Sequence, residues 1–339
     1  MRVVLADPPA FTPAYDHDLA AALARTGADV TLATSRFRFG AVAEPDGYAR
    51  RELFYPLSSR LFNRSRLRLP LKVAEHPFGL ARLLLAPADV LHVQWLVPEL
   101  DRHLFHPHRP SVFTAHDLLP RRTAAKQAIW RDLMSRFDRV VVHSEHGRET
   151  LAGLDVDARV IPHPVFRSDV ERTDDGRTVL ALGVIRDYKG LPDAIDATRR
   201  AGARLLVAGD PLDPVAAEGD HVEWRLGYLP DAEVDRALGD STIAVFPYRP
   251  ELDQSGALLR ALGAGVPVVA YDVGGIAEPV RRFGAGRVVE PGDVAGLAAA
   301  IEELLADPGD ARVGALRARE ELTWDASARA HLELYRELA

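Results

Sequence analysis

The chain has 339 residues, 47% of them hydrophobic and 27% charged, with a formal net charge of -7. That length exceeds one ordinary core and predicts two domains of about 150 residues, while the acidic balance excludes general nucleic-acid binding. Without a single cysteine there is no disulfide, thiolate nucleophile or cysteine zinc site, a pattern that fits a reducing, cytoplasmic setting.

The opening, MRVVLADPPAF, reads as a short buried strand entering an Asp-Pro-Pro turn, too short for a signal peptide. No apolar run approaches the ~20 residues needed to span a bilayer. Further strands are predicted at Val30–Ala33, Val90–Gln94, Ser111–Thr114, Val140–His143 and Arg159–Ile161. Helices are predicted between them at Tyr15–Arg25, Ala124–Phe137 and Glu145–Leu151, the last capped by Ser144. The polar run Val170–Arg177, VERTDDGR, has no apolar periodicity and reads as a linker. The alternation then restarts, with strands at Val179–Leu182, Arg204–Ala208, Val222–Trp224, Ile243–Phe246 and Val266–Tyr271. Leu191–Arg200 and Ser255–Gly263 are helical, and a last helix covers about 325–339. Strand–helix alternation implies parallel sheets covered on both faces, here as two doubly wound blocks over 1–168 and 177–324. Ligands in such folds bind beyond the carboxyl ends of the strands, so facing domains would hold one in the cleft between them.

One segment stands apart in charge. Between Arg36 and Lys72 nine basic residues (Arg36, Arg38, Arg50, Arg51, Arg60, Arg64, Arg66, Arg68, Lys72) face three acids (Glu44, Asp46, Glu52), with phenylalanines and leucines among them. It suits an anionic membrane surface or an anionic acceptor; a solvated arginine-rich insertion is the plainer reading.

No G-x-G-x-x-G follows the first strand and no G-x-x-x-x-G-K-[ST] occurs, which counts against a dinucleotide oxidoreductase and a P-loop kinase. The lone Asp155-Val156-Asp157 reads as a solvated loop rather than a metal site. Chemistry concentrates in the second half. Gly183–Gly190, GVIRDYKG, follows a strand and opens a helix, so free backbone N–H groups there, with Arg186 and Lys189, suit a phosphate. Asp253–Gly256 supplies a second helix start, with Ser255 as cap and Gly256 allowing close approach.

The set GVIRDYKG, AGD at Ala208–Asp210, FPYR at Phe246–Arg249, QSG at Gln254–Gly256, AGVPVVA and GGIAE resembles the donor half of glycosyltransferase family 4. HVQW at His92–Trp95, FTAHDLLP at Phe113–Pro120, VVHSEHGRETL from Val141 and VIPHP at Val160–Pro164 agree in order across the first half. The resemblance implies an α/β protein of GT-B architecture, two Rossmann-like domains, with the second holding a nucleotide-diphosphate sugar and the last helix crossing back to the first. It implies transfer to a glycan, lipid-linked or small-molecule acceptor with retention of configuration. No obligate metal is implied, and no cofactor beyond the sugar nucleotide as co-substrate.

Residue by residue, the resemblance assigns Arg186 and Lys189 to the diphosphate as the sugar leaves. It gives Ser255 and Gly256 to phosphate or sugar through backbone N–H groups, with Gly183, Asp253 and Gln254 beside them. Tyr228 falls in the loop touching the nucleobase, and His116 at a strand end towards the transferred sugar. His92, His143 and His163 read as structural. The family's two glutamates, eight residues apart, are replaced by Leu252 and Arg260. Arg260 cannot accept ribose hydroxyl hydrogen bonds, so it is expected to line the donor cleft against Glu251, Asp253, Glu278 or a donor phosphate, with Glu251 and Glu278 as candidate ribose partners. A sugar-nucleotide epimerase of the same fold and a non-catalytic nucleotide-sugar or glycan-binding protein are the alternatives.

Overall fold

A computed structural model describes every residue except 39, 62–67, 120–124, 216–218 and 251–252. The chain divides into two units, one of residues 1–162 with 324–339 and one of residues 163–323.

The first unit runs β1 (Arg2–Asp7), α1 (Pro13–Arg25), β2 (Asp29–Ser35), β3 (Ala49–Phe54), α2 (Ser58–Leu61), α3 (Arg68–Leu85), β4 (Val90–Val93), α4 (Pro98–Leu104), β5 (Ser111–Thr114), α5 (Gln127–Met134), β6 (Arg139–Val142), α6 (Glu145–Ala152) and β7 (Ala158–Val160). All strands pair in parallel, in the order β3-β2-β1-β4-β5-β6-β7. The two-residue period of a strand sends Val3 and Leu5 of β1 to one face and Val4 and Ala6 to the other. Both faces are buried, which is why β1 reads as a continuous apolar run.

One strand of this unit escaped the sequence reading. β3, ARRELF, is the edge strand and fully buries only Phe54 of its six residues, so it carries no apolar alternation. It lies within 36–72, so that segment is not one insertion but holds a strand, α2 and the start of α3. Its residues Arg64 and Arg66, like Ala124, Leu252 and Glu251, fall outside the described residues.

The second unit runs β8 (Thr178–Leu182), α7 (Leu191–Arg200), β9 (Arg204–Gly209), β10 (Val222–Leu226), α8 (Asp231–Gly239), β11 (Ile243–Phe246), α9 (Gly256–Gly263), β12 (Val268–Tyr271), α10 (Ala277–Phe283), β13 (Gly286–Val289), α11 (Val294–Ala306) and α12 (Gly309–Glu321). Its parallel order is β10-β9-β8-β11-β12-β13. Each sheet therefore reverses its strand order once, between β1 and β4 and between β8 and β11, the crevices where doubly wound folds bind ligands.

The stretch expected to be a linker is packed instead. Val170 lies against the second core, the Thr173 N–H donates to the Gly239 carbonyl, and the Arg172 guanidinium bonds Asp174 and the Ser241 carbonyl. Polar composition hid this, because its contacts are hydrogen bonds rather than apolar burial.

The chain ends in α13 (Trp324–Leu338), which belongs to the first unit. Tyr335, fully buried, places its hydroxyl 2.6 Å from His92 Nδ1, while Trp324 meets Tyr15 edge-on at 5.1 Å. Among the described residues no helix is long and apolar enough to cross a membrane.

Candidate active site

In the second unit the turn after β8 is shaped by close backbone approach. Gly183 has φ 99°, and the Gly183 N–H donates to the Ala208 carbonyl at 2.9 Å. The turn closes through a single 3-10 turn, Asp187–Lys189, onto Gly190 at φ 64°, where a Cβ would strike the Pro247 carbonyl oxygen. Two glycines thus bring the end of β8 against the end of β11.

This packing gathers four of the expected residues. A Cβ on Gly183 would lie 3.1 Å from Lys189 Nζ and 3.4 Å from the Ala257 methyl, so the ammonium and the first turn of α9 share one corner. Lys189 Nζ sits 4.9 Å from the centre of the buried Tyr248 ring. Ser255 caps α9: its Oγ accepts the Leu258 N–H at 3.2 Å and donates to the Tyr248 hydroxyl at 3.2 Å. Helix geometry leaves the N–H groups of Gly256 and Ala257 outside the hydrogen-bond ladder. A lysine ammonium, a positive helix end and unladdered N–H groups meet in one corner, an arrangement chemically suited to an anion.

Asp253 and Gln254 serve this corner indirectly. Asp253, buried, accepts the Gly275 N–H at 2.9 Å and the Gln254 amide at 3.3 Å, tying the loop before α9 to the Gly274–Gly275 turn. Glu278 lies in the first turn of α10, and Tyr228 follows β10 with 61% of its surface exposed. Arg186 is not brought to Lys189's partners. Half-exposed, its guanidinium is 3.7 Å from Asp213, whose other oxygen accepts the Asp187 N–H at 3.0 Å.

Arg260 departs from expectation. It pairs with neither Asp253 nor Glu278; its partner is Asp231 at the start of α8, 3.1 Å away, and its guanidinium lies over the Phe166 ring at 5.1 Å. Gly256, one turn earlier on the same face, also looks onto Phe166. Phe166 precedes the second unit's first strand and Asp231 opens a helix 29 positions before Arg260, so local sequence gave no sign of either.

The first unit places His116 just beyond β5. It is buried, stacked on Trp95 at 5.4 Å and meets Tyr15 edge-on at 4.6 Å. Its Nε2 is 2.9 Å from Gln94 and its Nδ1 is 3.4 Å from His143 Nε2. His143 Nδ1 donates to the Ile161 carbonyl at 2.9 Å, so its Nε2 accepts when the ring is neutral. Gln94 Nε2 is buried without a partner in the amide orientation that faces Oε1 to His116. Turning the amide lets Gln94 donate to His116 Nε2, which pairs that nitrogen and the amide N–H with His116 neutral.

Next to this cluster is a pair of acids that sequence reading did not single out. Asp7 ends β1 and Asp16 lies in the first turn of α1; both are buried. Burial pushes both carboxyls up, and the neighbouring Asp7 charge holds Asp16 well above the usual range. The Thr12 N–H donates to Asp7 at 3.1 Å, and the Trp95 indole donates to the Thr12 hydroxyl at 2.8 Å, linking the acids to the ring stacked on His116. Their nine-residue separation matches no helical or strand period, which is why no pattern revealed them.

His92, fully buried, has Tyr335 and the Thr114 hydroxyl (2.7 Å) on its two nitrogens, and His163 lies 2.6 Å from the Pro164 carbonyl; both are structural ties. Asp155 is exposed and 3.5 Å from Arg131.

Family comparison divides the chain in the same way. Residues 15–168 match the Glycosyltransferase Family 4 profile and residues 176–307 match Glycosyl transferases group 1. Identity with the glycogen synthase of Mycobacterium tuberculosis is 33% over 176 residues, 46% of this chain and 42% of that protein, so the chain spans about two fifths of its length. Identity with the D-rhamnosyltransferase WbpZ of Pseudomonas aeruginosa is 30% over 280 residues, 73% of each chain. The sucrose-phosphate synthase structure from Thermosynechococcus elongatus superposes with a TM-score of 0.76 at 22% identity, covering 100% of this chain and 99% of that one. With both halves matched in order and a relative aligned over most of its length, the chain belongs to the family 4 glycosyltransferases of GT-B fold.

Proposed function

We propose that the protein is a retaining hexosyltransferase that takes its sugar from a nucleoside diphosphate and passes it to an acceptor hydroxyl. The observation that carries this reading is the corner where Lys189 Nζ, Gly183 and the Ser255-capped start of α9 meet. A diphosphate gains negative charge as the sugar leaves, and fixed donors aimed at that charge act mainly in the transition state. The bond from the anomeric carbon to phosphate oxygen breaks, and a bond to the acceptor oxygen forms on the same face. The acceptor proton passes to the departing diphosphate, so no protein base is consumed.

The sugar nucleotide is a co-substrate, and the reading requires no metal. Nucleoside diphosphates bearing different bases should raise the melting temperature selectively, since binding to the folded state stabilises it by mass action, about 2.7 kcal/mol at a hundredfold excess over Kd. The matching sugar nucleotide with an acceptor should yield a glycoside of unchanged anomeric configuration, read by NMR. Release of an isomerised free sugar with no glycoside would instead indicate an epimerase. Donor binding without turnover across glycan, lipid-linked and small-molecule acceptors would indicate a binding protein.

A further inference from the structure

The two connections that flank β9 are built differently. β8 reaches β9 through α7, ten residues of helix laid over the sheet. β9 reaches β10 through residues 210–221, which carry Pro211 and Pro214 and form no helix among their described residues. Successive right-handed crossovers that step in one direction lie on the same face of a sheet, so this connection covers the face beside α7 without a helix of its own. It leaves a cavity of about 960 Å³ against α7, within the size range of small-molecule sites.

Leu191 and Ile195, four apart on α7, give the cavity an apolar wall together with Ile185 and Val215, and all four also pack on the core beneath α7. Among the described residues four arginines line it, and three are engaged. Arg199 pairs with Asp196, Arg204 with Asp175 and Glu223 at 3.3 Å, and Arg177 donates to the Gly202 carbonyl at 3.1 Å. Arg186 differs. Its half-exposed guanidinium donates no hydrogen bond among the described residues and stands 3.7 Å from Asp213. Asp213 gives its other oxygen to the Asp187 N–H at 3.0 Å, while the Ile185 N–H donates to the Asp210 carbonyl at 2.8 Å and the Ile185 carbonyl accepts the Leu212 N–H at 3.2 Å. The connection is thereby fastened to the turn that runs from Asp187 to Lys189.

We propose that this cavity is an effector site for an amphiphilic anion, with an apolar body on Leu191, Ile195 and Val215 and a phosphate, sulfonate or carboxylate on Arg186. A planar guanidinium with free donors suits such a group, and the apolar wall suits a body that water does not solvate well. No phenylalanine, tyrosine or tryptophan is among the described lining residues, so a nucleobase finds little to stack on and the site is not a second nucleotide site. An anion that draws on Arg186 changes its pairing with Asp213, and Asp213 holds the first residue of the turn whose last residue is Lys189. Occupancy is therefore coupled to the donor corner. The cavity stands independently of the donor reading; the coupling rests on it.

Anilinonaphthalene sulfonate, an anionic group on an apolar body that fluoresces on apolar surface, is titrated into the full folded chain. It should bind and should stay bound at saturating nucleoside diphosphate. Each ligand should change the Kd of the other by the same factor, at least about threefold, because coupling between two sites is reciprocal. Ile195→Trp, which fills the cavity, and Arg186→Gln, which removes the charge at its edge, should each raise the Kd of the dye at least about tenfold. Arg186 lies outside the core, so its variant keeps the test valid if the tryptophan disturbs folding. Dye binding that Arg186→Gln leaves unchanged overturns the site, as does displacement of the dye by nucleoside diphosphate. Two Kd values that ignore each other overturn the coupling. The donor reading fails separately, by the absence of any melting-temperature shift with nucleoside diphosphates, and that result leaves the dye titration standing.

Discussion

The two units share a strand order and use the turn after their first strand in opposite ways. In the first unit, β1 ends in Asp7, whose buried carboxyl accepts the Thr12 N–H at 3.1 Å while its carbonyl accepts the Ala10 N–H at 3.1 Å. Ala10 is held at φ 54° with no glycine to ease it, and Asp16 places a second acid beside the first. The turn's donors at Ala10 and Thr12 are thus spent on Asp7 itself, one on its carbonyl and one on its carboxyl. In the second unit, β8 is followed by Gly183, which has no side chain to occupy the corner that Lys189 and the positive start of α9 line. Rossmann topology puts a crevice at both places, and the residue entering each turn, Asp7 or Gly183, sets the charge and the room that a ligand would meet there.

Removing the cation tests this contrast most strongly. Lys189→Ala should lower turnover at saturating donor by about 10²–10³, or about 2.7–4 kcal/mol of barrier, with little change in melting temperature. Near-parental turnover would detach Lys189 from the leaving group.

Filling the corner should do less, and with opposite signs in the two units. Gly183→Ala places a Cβ 3.1 Å from Lys189 Nζ at a φ of 99°, which should cost about 1–3 kcal/mol in urea unfolding and weaken nucleoside diphosphate binding. Ala10→Gly relieves a left-handed alanine worth about 1–2 kcal/mol, offset in part by the greater freedom of glycine when unfolded, so stability should hold or rise slightly. Equal losses at both positions would show that the turns are not built on different terms.

The acid pair gives a pH signature confined to the first unit. Both folded pKa values are raised, so the folded state binds more protons than the unfolded chain above about pH 4, where free carboxyls titrate. This contribution is fully present below that pH and is lost as pH rises through the folded values. Asp16→Asn supplies an uncharged donor for Asp7 Oδ1, which is buried with no partner in the ionised pair. The variant should be as stable as the parent at pH 7 or more stable by about 1 kcal/mol, with a flatter stability–pH curve. Denaturant unfolding across pH 4–8 measures this, and an unchanged slope would remove the shared proton.

Sequence reading reached what rests on local pattern. The parallel blocks follow from apolar runs such as VVLA and VLAL, and the Ser255 cap and Gly183 turn from residue types with narrow backbone roles. It missed what rests on meetings between distant segments. Asp7 finds Asp16 across a proline turn, Trp95 reaches Thr12 from another strand, and Phe166 covers α9 from what resembled the edge of a linker. Arg186 illustrates the limit from the other side: its motif and charge suited a phosphate, yet Asp213, 27 positions on, sits at its guanidinium.

Arg260 gives the smallest expected effect and the finest test of the second unit. The family's glutamate position is here a cation whose side chain is 29% exposed, paired with an Asp231 side chain that is 81% exposed. Solvent screens such a pair, so its loss should cost less than about 1 kcal/mol, with the Phe166 stacking adding about 0.5–1 kcal/mol at most. Arg260→Glu would set a carboxylate against Asp231 and remove the group lying over Phe166. The new side chain is also drawn away from any ribose by nothing but distance, while the repulsion from Asp231 and from a bound diphosphate acts whenever the donor is present. Donor affinity should therefore fall or stay level, and Arg260→Met, which keeps apolar contact with Phe166 without the charge, should bind donor at least as well as Arg260→Glu. Titration calorimetry with a nucleoside diphosphate ranks the three proteins. An Arg260→Glu protein that binds tightest would show that this position still serves the ribose and that Asp231 is a partner only while the donor site is empty.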